Sequence, residues 1–294
     1  MMKRILILLA SFVVMFFLTA LASAFFTMAF GPGRNCYIAV SAAQGVLAFI
    51  IPAWITARIT SQNPIAYLGL DSPLCFRGIL CVVMLFILAM PFLNAVVNWN
   101  AALTLPDALS SLEEWMRTSE SGAAEITDII LNDSSVWGLI SGLLVVGCLT
   151  GIAEEAFFRA GLQKCFTSSG MNHHSAIWIA AFIFSAIHFQ FFGFVPRLLL
   201  GAIFGYIYWY SNSLWLSAFA HALNNSVVVV SAWLLARGEI SETLEDYITN
   251  SPHAGTIELI SAVLTALFFA FFFKRLISKL KNKPNETDTK SFVK

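Results

Sequence analysis

Charged residues are scarce in this sequence. Of its 294 residues only 12% are Asp, Glu, Lys or Arg, while 58% are hydrophobic; soluble domains contain about 25% charged residues. This scarcity argues against a soluble domain and predicts a protein that crosses a membrane several times. The formal net charge is zero, so the composition gives no reason to expect nucleic acid as a partner.

Several catalytic and cofactor patterns are also absent. The sequence contains no H-E-x-x-H zinc motif, no glycine-rich nucleotide loop, no Ser-His-Asp pattern and no internal repeat. Its cysteines form no C-x-x-C pair, which argues against both a disulfide framework and a thiolate zinc site. The cysteines are five in number: Cys36, Cys75, Cys81, Cys148 and Cys165.

Long uncharged runs dominate the chain. A helix needs roughly 20 mainly apolar residues to cross a bilayer. Eight spans are predicted, at about residues 5–30, 36–57, 78–100, 134–165, 175–192, 194–210, 212–236 and 255–273. The first run is longer than the roughly 7–15-residue core of a signal peptide, so we expect it to stay as a span. The predicted fold class is an all-α, polytopic membrane protein of about eight transmembrane helices.

The positions of Lys and Arg predict how these helices are oriented, because basic residues collect on the cytoplasmic side of a membrane. Most of them fall on one side, at Lys3, Arg4, Arg58, Arg77, Lys164 and from Lys274 to Lys283. We therefore expect a multi-pass protein of the cell (cytoplasmic) membrane with both termini in the cytoplasm. Arg34 and Arg197 are exceptions on the opposite side.

Three regions follow from this arrangement. Residues 1–133 hold the first three spans and an acidic outer segment at about 101–133, which could be an amphipathic helix or a solvated loop. Residues 134–236 hold the next four spans and the polar residues of catalytic type. Residues 237–294 hold an acidic outer loop, the eighth span and a basic cytoplasmic tail.

The fourth span contains an unusual group of charges, "GIAEEAFFRAG", with Glu154, Glu155 and Arg159. Charged groups inside a bilayer are costly and usually pair or do chemistry. Successive helical residues point about 100° apart, so the two acids cannot share a face. Glu155 and Arg159 are four residues apart and can pair. We therefore predict a structural pair that leaves Glu154 for another role.

Two later spans carry polar residues suited to catalysis. His188 follows Phe184 by four residues in "FSAIHF", and Asn225 follows His221 by four in "SAFAHALNNS". A single His or Asn in a span is often only a hydrogen-bonding contact between helices. However, at 1.5 Å per residue Glu154, His188 and His221 lie about 14–20 Å from the basic ends of their spans. This predicts one polar cluster, reached from the cytoplasmic side.

The motifs E-E-x-x-x-R, F-x-x-x-H and H-x-x-x-N, in this order, resemble those of the CPBP family of intramembrane proteases. That family includes CAAX prenyl protease 2 and the bacteriocin-processing Abi proteins. The resemblance covers about residues 134–236, which makes this region the expected catalytic core. It implies an intramembrane endopeptidase that hydrolyses a peptide bond in a membrane-associated or lipid-modified peptide or protein. The expected partners are this substrate and the lipid bilayer.

The resemblance also implies a role for each motif residue. Glu154 and His188 would activate a water molecule, and His221 and Asn225 would stabilise the oxyanion that forms when the water attacks. Peptide hydrolysis needs both a base for the water and donors for the oxyanion. The residues that would support the site are Glu155, Arg159 and Phe184.

The sequence leaves an alternative open both for the cofactor and for the function. The family has been described both as metalloproteases and as glutamate proteases. A site without metal is favoured here, and zinc held by Glu154, His188 and His221 is the alternative. The protein could also be a non-proteolytic membrane scaffold, such as a bacteriocin-immunity or regulatory protein with the same fold. A transporter would favour internal repeats or broken helices, which the sequence does not clearly show.

Overall fold

The computed structural model describes residues 2–240, 254–273 and 275, and within these ranges the chain forms helices and no strand. Most of the predicted acidic outer loop and the basic tail lie outside the described residues. In the described part, six helices are long and apolar enough to cross a membrane, and two shorter apolar helices take the places of the other two predicted spans. The predicted all-α, polytopic membrane fold is confirmed.

The helices are numbered here in chain order. They are α1 (Met2–Phe30), α2 (Arg34–Thr60), α3 (Pro64–Leu68), α4 (Phe76–Ala101), α5 (Ser110–Leu131), α6 (Val136–Thr167), α7 (His173–Ala186), α8 (Phe194–Ser211), α9 (Leu214–Ala236) and α10 (Ala254–Leu267). The two shorter apolar helices are α7 and α10, and a π-helical segment at Phe268–Phe273 continues α10.

Helix α7 is shorter than the span predicted at 175–192, because it ends at Ala186. The N–H of His188 donates to the carbonyl of Ser185 at 3.4 Å, and Phe189 has a φ of 52°. That left-handed conformation interrupts a helix. His188 therefore lies in a turn beyond the end of α7 and not on the helical face that the sequence predicted.

Of the two alternatives for residues 101–133, the structure has the helix, α5. This helix is attached to the segment between α7 and α8. The Oε2 of Glu120 accepts the N–H of Phe192 at 2.9 Å, and the rings of Trp115 and Phe191 lie 5.3 Å apart. The contacts hold α5 against the end of the bundle near His188.

The first turn of α5 is held by Glu113. Its carboxylate accepts the N–H of Leu105 at 2.7 Å and pairs with Arg117 at 2.6 Å. The Leu105 N–H, and then Arg117, hold the pKa of Glu113 below its ordinary value. The stabilisation from these contacts is therefore present at neutral pH and is lost as the pH falls and the carboxyl group becomes protonated.

The other end of α5 is fastened by Arg34, a basic residue on the side opposite most of the Lys and Arg residues. Its Nε donates to the carbonyl of Ile130 at 2.9 Å, and its Nη2 donates to Ser141 Oγ at 2.8 Å. The guanidinium also lies 3.4 Å from Asp133. Arg34 thus joins α2, α5 and α6 at this end of the bundle.

Helix α6 is the centre of the bundle. Every residue from Ala156 to Gln163 is buried, as expected for a helix that other helices surround. The rings of Phe158 in α6 and Phe184 in α7 lie 5.1 Å apart, and Gln163 donates to the carbonyl of Gly205 in α8 at 3.0 Å. The charges of the fourth predicted span therefore lie inside the protein and not in lipid.

A row of glycines lets α6 approach α9 closely, as small residues commonly do between membrane helices. A Cβ atom at Gly142, Gly147 or Gly151 would lie 2.9, 2.8 or 2.9 Å from an atom of α9, and for Gly151 that atom is the main-chain N of Ala222. The first two glycines are five residues apart. The π-helical segment Leu143–Leu149 keeps them on one face, since a π turn closes its hydrogen bond over five residues.

We expect Gly151→Ala to destabilise the protein by about 1–3 kcal/mol, the usual cost of overpacking a tight contact. The added methyl group would meet main chain, which cannot rotate aside. Thermal unfolding in detergent measures the effect. Gly122→Ala is the matched control, because Gly122 is exposed on α5 with nothing within 4 Å of an added Cβ. Equal melting temperatures for the two variants would contradict the close approach.

Candidate active site

The carboxylate of Glu155 accepts three side-chain hydrogen bonds inside the bundle. Its Oε2 accepts from Arg159 Nε at 2.9 Å and from the Ser217 hydroxyl, and its Oε1 accepts from His221 Nδ1 at 3.1 Å. Glu155 and Arg159 are both 0% exposed. A buried charge is tolerated only when it is paired and hydrogen-bonded. Because Ser217 and His221 belong to α9, this one carboxylate joins α6 to α9.

The guanidinium of Arg159 faces aromatic rings as well as Glu155. Its Nη1 and Nη2 have no hydrogen-bond acceptor among the described residues. Its central carbon lies 5.2 Å from the centre of the Phe184 ring and 5.9 Å from that of Phe204, within the roughly 6 Å reach of a cation–π contact. One carboxylate and two rings thus balance this buried charge.

The same two phenylalanines fix the ring of His221. Phe204 stacks on it with ring centroids 4.6 Å apart, and Phe184 meets it edge-on at 5.8 Å. Phe184 also meets the His188 ring edge-on at 5.2 Å. The Phe of the F-x-x-x-H motif therefore contacts both histidines, which limits how either ring can rotate.

Hydrogen bonds indicate which nitrogen of each histidine is free. The Nδ1 of His221 contacts the Glu155 carboxylate at 3.1 Å, and the Nδ1 of His188 contacts the carbonyl of Phe184 at 2.7 Å. Both partners only accept, so each Nδ1 carries a hydrogen, and Nε2 of the neutral ring keeps its lone pair. The Nε2 of His221 lies 3.7 Å from Glu154 Oε2.

Asn225 is held with part of its amide unused. Its Nδ2 donates to the carbonyl of Val146 at 3.1 Å, and its Oδ1 accepts from Asn224 Nδ2 at 3.4 Å. An amide nitrogen carries two hydrogens. One N–H of Asn225 therefore remains for a ligand.

One cavity of about 340 Å³ is lined by Glu154, His188, His221 and Asn225. A second cavity of about 720 Å³ is lined by three of these residues, without His221. Both volumes fall within the roughly 300–1,000 Å³ of small-molecule sites. All four residues with a predicted catalytic role therefore line the same cavity. Glu155 and Arg159 are fully buried and do not line it.

The two cavities lie at the α5 end of the bundle. The larger one is lined by Ile126 and Ile130 of α5 and by Ser41 and Gln44 near the start of α2, whereas most Lys and Arg residues lie near the opposite ends of these helices. The prediction that the site is reached from the basic side is therefore wrong. The prediction failed for two reasons. It assumed that His188 lies within a helix, and it took no account of α5, which lines the larger cavity.

Three residues of the site are not indicated by the motifs. Ser217 precedes His221 by four residues, so helical periodicity alone would place it on the same face. Phe204 gives no signal, because the sequence has 27 phenylalanines. Arg197, which lines both cavities, is visible in the sequence only as a charge on the unexpected side.

The zinc alternative does not fit this arrangement. In the part of the chain that the structure describes, no three His, Cys, Asp or Glu side chains group closely enough to hold a metal ion. Of the proposed ligands, Glu154 and His221 approach to 3.7 Å, but His188 does not join them at such a distance. A three-ligand zinc site needs all three together.

A comparison with known families matches the part of the chain that carries these residues. Residues 136–227 match the family model described as type II CAAX prenyl endopeptidase Rce1-like. The chain carries an Rce1-like domain. This domain runs from α6 into α9 and contains all three motifs, so the resemblance to the CPBP family is confirmed. No curated protein and no solved structure matches the chain.

We expect Glu155→Gln to destabilise the Rce1-like domain by about 3–5 kcal/mol, the cost of breaking a buried ion pair, because Arg159 and His221 lose their anionic acceptor. Adding Arg159→Gln should recover part of the loss, since no unpaired charge remains. Detergent melting curves give the order of stability. Glu154→Gln, at the adjacent position, is the control and should melt like the parent. A stable Glu155→Gln variant would show that the pair does not hold the helices.

Proposed function

We propose that the Rce1-like domain hydrolyses a peptide bond of a membrane-associated or lipid-modified peptide or protein, with Glu154 as the base. The proposal rests on the contrast between two adjacent acids. Glu155 has three donors, whereas Glu154 lines the cavity and approaches His221 Nε2 only to 3.7 Å. A carboxylate with few hydrogen bonds in an apolar setting is a good proton acceptor. The family match supports a protease.

In the first step Glu154 takes a proton from a water molecule as the water oxygen attacks the carbonyl carbon of the scissile bond. The Nε2 lone pair of His188 accepts a hydrogen bond from this water and orients it. The carbonyl oxygen becomes an oxyanion and accepts the unused N–H of Asn225. A fixed donor in a water-poor site stabilises such a charge more than bulk water does.

In the second step the carbon–nitrogen bond of the tetrahedral intermediate breaks. The proton held by Glu154 passes to the leaving nitrogen, which departs as an amine. The other product is a carboxylic acid whose added oxygen comes from water. Glu154 returns to its carboxylate form, and the reaction consumes one water molecule and nothing else.

His221 can donate to the oxyanion only when it is doubly protonated. Its Nδ1–H is directed at Glu155, so Nε2 carries a hydrogen only in the cationic ring. The carboxylate of Glu155 stabilises that cation and holds its orientation. His221 Nε2, 3.7 Å from Glu154 Oε2, takes the proton that Glu154 removed from the water and donates it in a hydrogen bond to the oxyanion beside Asn225. It returns this proton to Glu154 before Glu154 protonates the leaving nitrogen.

The proposal places the protein in the cytoplasmic membrane, with its basic segments in the cytoplasm and α5 on the outer side. In a cysteine-free background, Ser121→Cys on α5 should react with an impermeant thiol reagent in intact cells. Gln62→Cys, exposed between α2 and α3, is the matched position at the opposite end and should react only in inverted vesicles. The reverse pattern would invert the orientation and place the cavity on the cytoplasmic side.

Glu154→Gln preserves the size of the side chain and removes the base. We expect cleavage of a model membrane peptide to fall at least ~10²–10⁴-fold, the contribution of general-base catalysis, with an unchanged melting temperature. Glu114→Gln is the control, because Glu114 is an exposed acid on α5, and it should cleave like the parent. Full activity of Glu154→Gln would exclude Glu154 as the base.

The same cleavage assay tests whether the activity requires a metal ion. The proposed chemistry uses side chains alone, so the parent should keep its activity after exhaustive chelation. One zinc ion per chain, removed by the chelator together with activity and lost in His188→Ala or His221→Ala, would overturn this part of the proposal.

A further inference from the structure

Arg197 brings a second positive charge to the site. It lies near the start of α8 and lines both cavities together with Glu154. A charge at membrane depth is costly and normally has a partner. Glu120 and Glu154 are the carboxylates near enough to act on it, but no carboxylate in the described ranges forms an ion pair with it.

The guanidinium of Arg197 is fixed before any ligand arrives. Its Nη2 donates to Gln190 Oε1 at 2.6 Å, and its Nη1 donates to the carbonyl of Gln190 at 3.3 Å. Gly193 leaves room for it, since a Cβ there would lie 3.2 Å from Nη2. The buried side chain of Asn100 accepts the N–H of Val195 at 2.7 Å, which holds the first turn of α8 in place.

Arg197 also has donors to spare. A guanidinium carries five N–H groups, and the contacts with Gln190 engage two of them. Arg159 is fully buried, with Nη1 and Nη2 lacking an acceptor, whereas Arg197 lines both cavities. The guanidinium of Arg197 therefore has N–H groups beyond those bonded to Gln190 at the border of the cavities. Arg159 uses its charge inside the protein, and Arg197 can offer its charge to a ligand.

Neither nearby acid forms an ion pair with Arg197. Glu120 is held by the N–H of Phe192 at 2.9 Å, and Glu154 is the base in the proposed reaction. An anionic group of the substrate can therefore supply the ion pair that Arg197 lacks. For a peptide substrate that anion is a carboxylate, which a guanidinium binds through two parallel hydrogen bonds. The start of α8 adds a favourable positive potential.

We propose that Arg197 is a specificity-determining residue that binds a carboxylate of the substrate beside the scissile bond. The inference rests on the proposed peptide hydrolysis. The carboxylate is either the free carboxyl terminus of a peptide or the side chain of an Asp or Glu. Since Arg197 and Glu154 line the same cavity of about 340 Å³, this carboxylate lies within a few residues of the bond that is cut.

Three matched membrane peptides test the inference. The first ends in a free acid, the second is its carboxyl-terminal amide, and the third is the amide with one Glu placed near the cut bond. For the parent protein we expect kcat/KM for one of the two anionic peptides to exceed that for the neutral amide by about tenfold or more. This is the size of one charge-assisted hydrogen bond. The anionic peptide that is preferred identifies the source of the carboxylate.

Variants assign the preference to Arg197. Arg197→Gln should reduce the ratio of anionic to neutral kcat/KM to about one. Gln190→Ala keeps the charge but releases the guanidinium, so it should lower the same ratio partway and provides a test if Arg197→Gln folds poorly. Arg237→Gln is the control, because Arg237 is exposed at the end of α9, and it should keep the parental ratio.

The outcomes separate this inference from the proposed function. If the parent cleaves all three peptides with equal efficiency, Arg197 does not bind a carboxylate of the substrate and the inference is overturned, while the proposed hydrolysis stands. If the preference survives in both Arg197→Gln and Gln190→Ala, or if Arg197→Gln lowers all three efficiencies equally, the inference is overturned. If the parent cleaves none of the peptides, the proposed function fails and the inference fails with it.

Discussion

The buried carboxylate of Glu155 is the interaction on which the rest of the site depends. A charge at membrane depth must be paired, and Glu155 meets this need with Arg159 of its own helix and with Ser217 and His221 of α9. The same bonds join α6 to α9 and fix the imidazole ring through Nδ1. Because adjacent helical residues point about 100° apart, Glu154 is turned away from the pair and towards the cavity.

The surrounding helices make this arrangement possible in different ways. Gly151 lets the main chains of α6 and α9 approach, so that the Glu155 carboxylate can reach the side chains of α9. Phe184 packs against Arg159 and both histidines, and α5 covers the larger cavity. Arg159 and Arg197 differ in what their charges contact. Arg159 is buried and pairs with Glu155 inside the protein, whereas Arg197 lines the cavities. Pairing of charges therefore governs both the stability of the bundle and the character of the site.

Much of the fold is readable in the sequence, because a helix that crosses a membrane must satisfy its own backbone and present apolar side chains. The same periodicity predicts the contact of Glu155 with Arg159, which are four residues apart in one helix. It fails for His188, since α7 ends at Ala186 and no residue pattern marks that end. The cover formed by α5 and the place of Arg197 depend on contacts between distant segments, which a single sequence does not reveal. The catalytic roles of the four cavity residues stay a prediction.

The most direct test of this division of labour between adjacent acids is a structure of the Glu154→Gln variant with an uncleaved membrane peptide bound. The scissile carbonyl carbon should face residue 154, with its oxygen within hydrogen-bond distance of Asn225, while Glu155 keeps its contacts with Arg159, Ser217 and His221. A peptide bound away from this cavity, or a Glu155 that has left Arg159 to contact the peptide, would contradict the assignment.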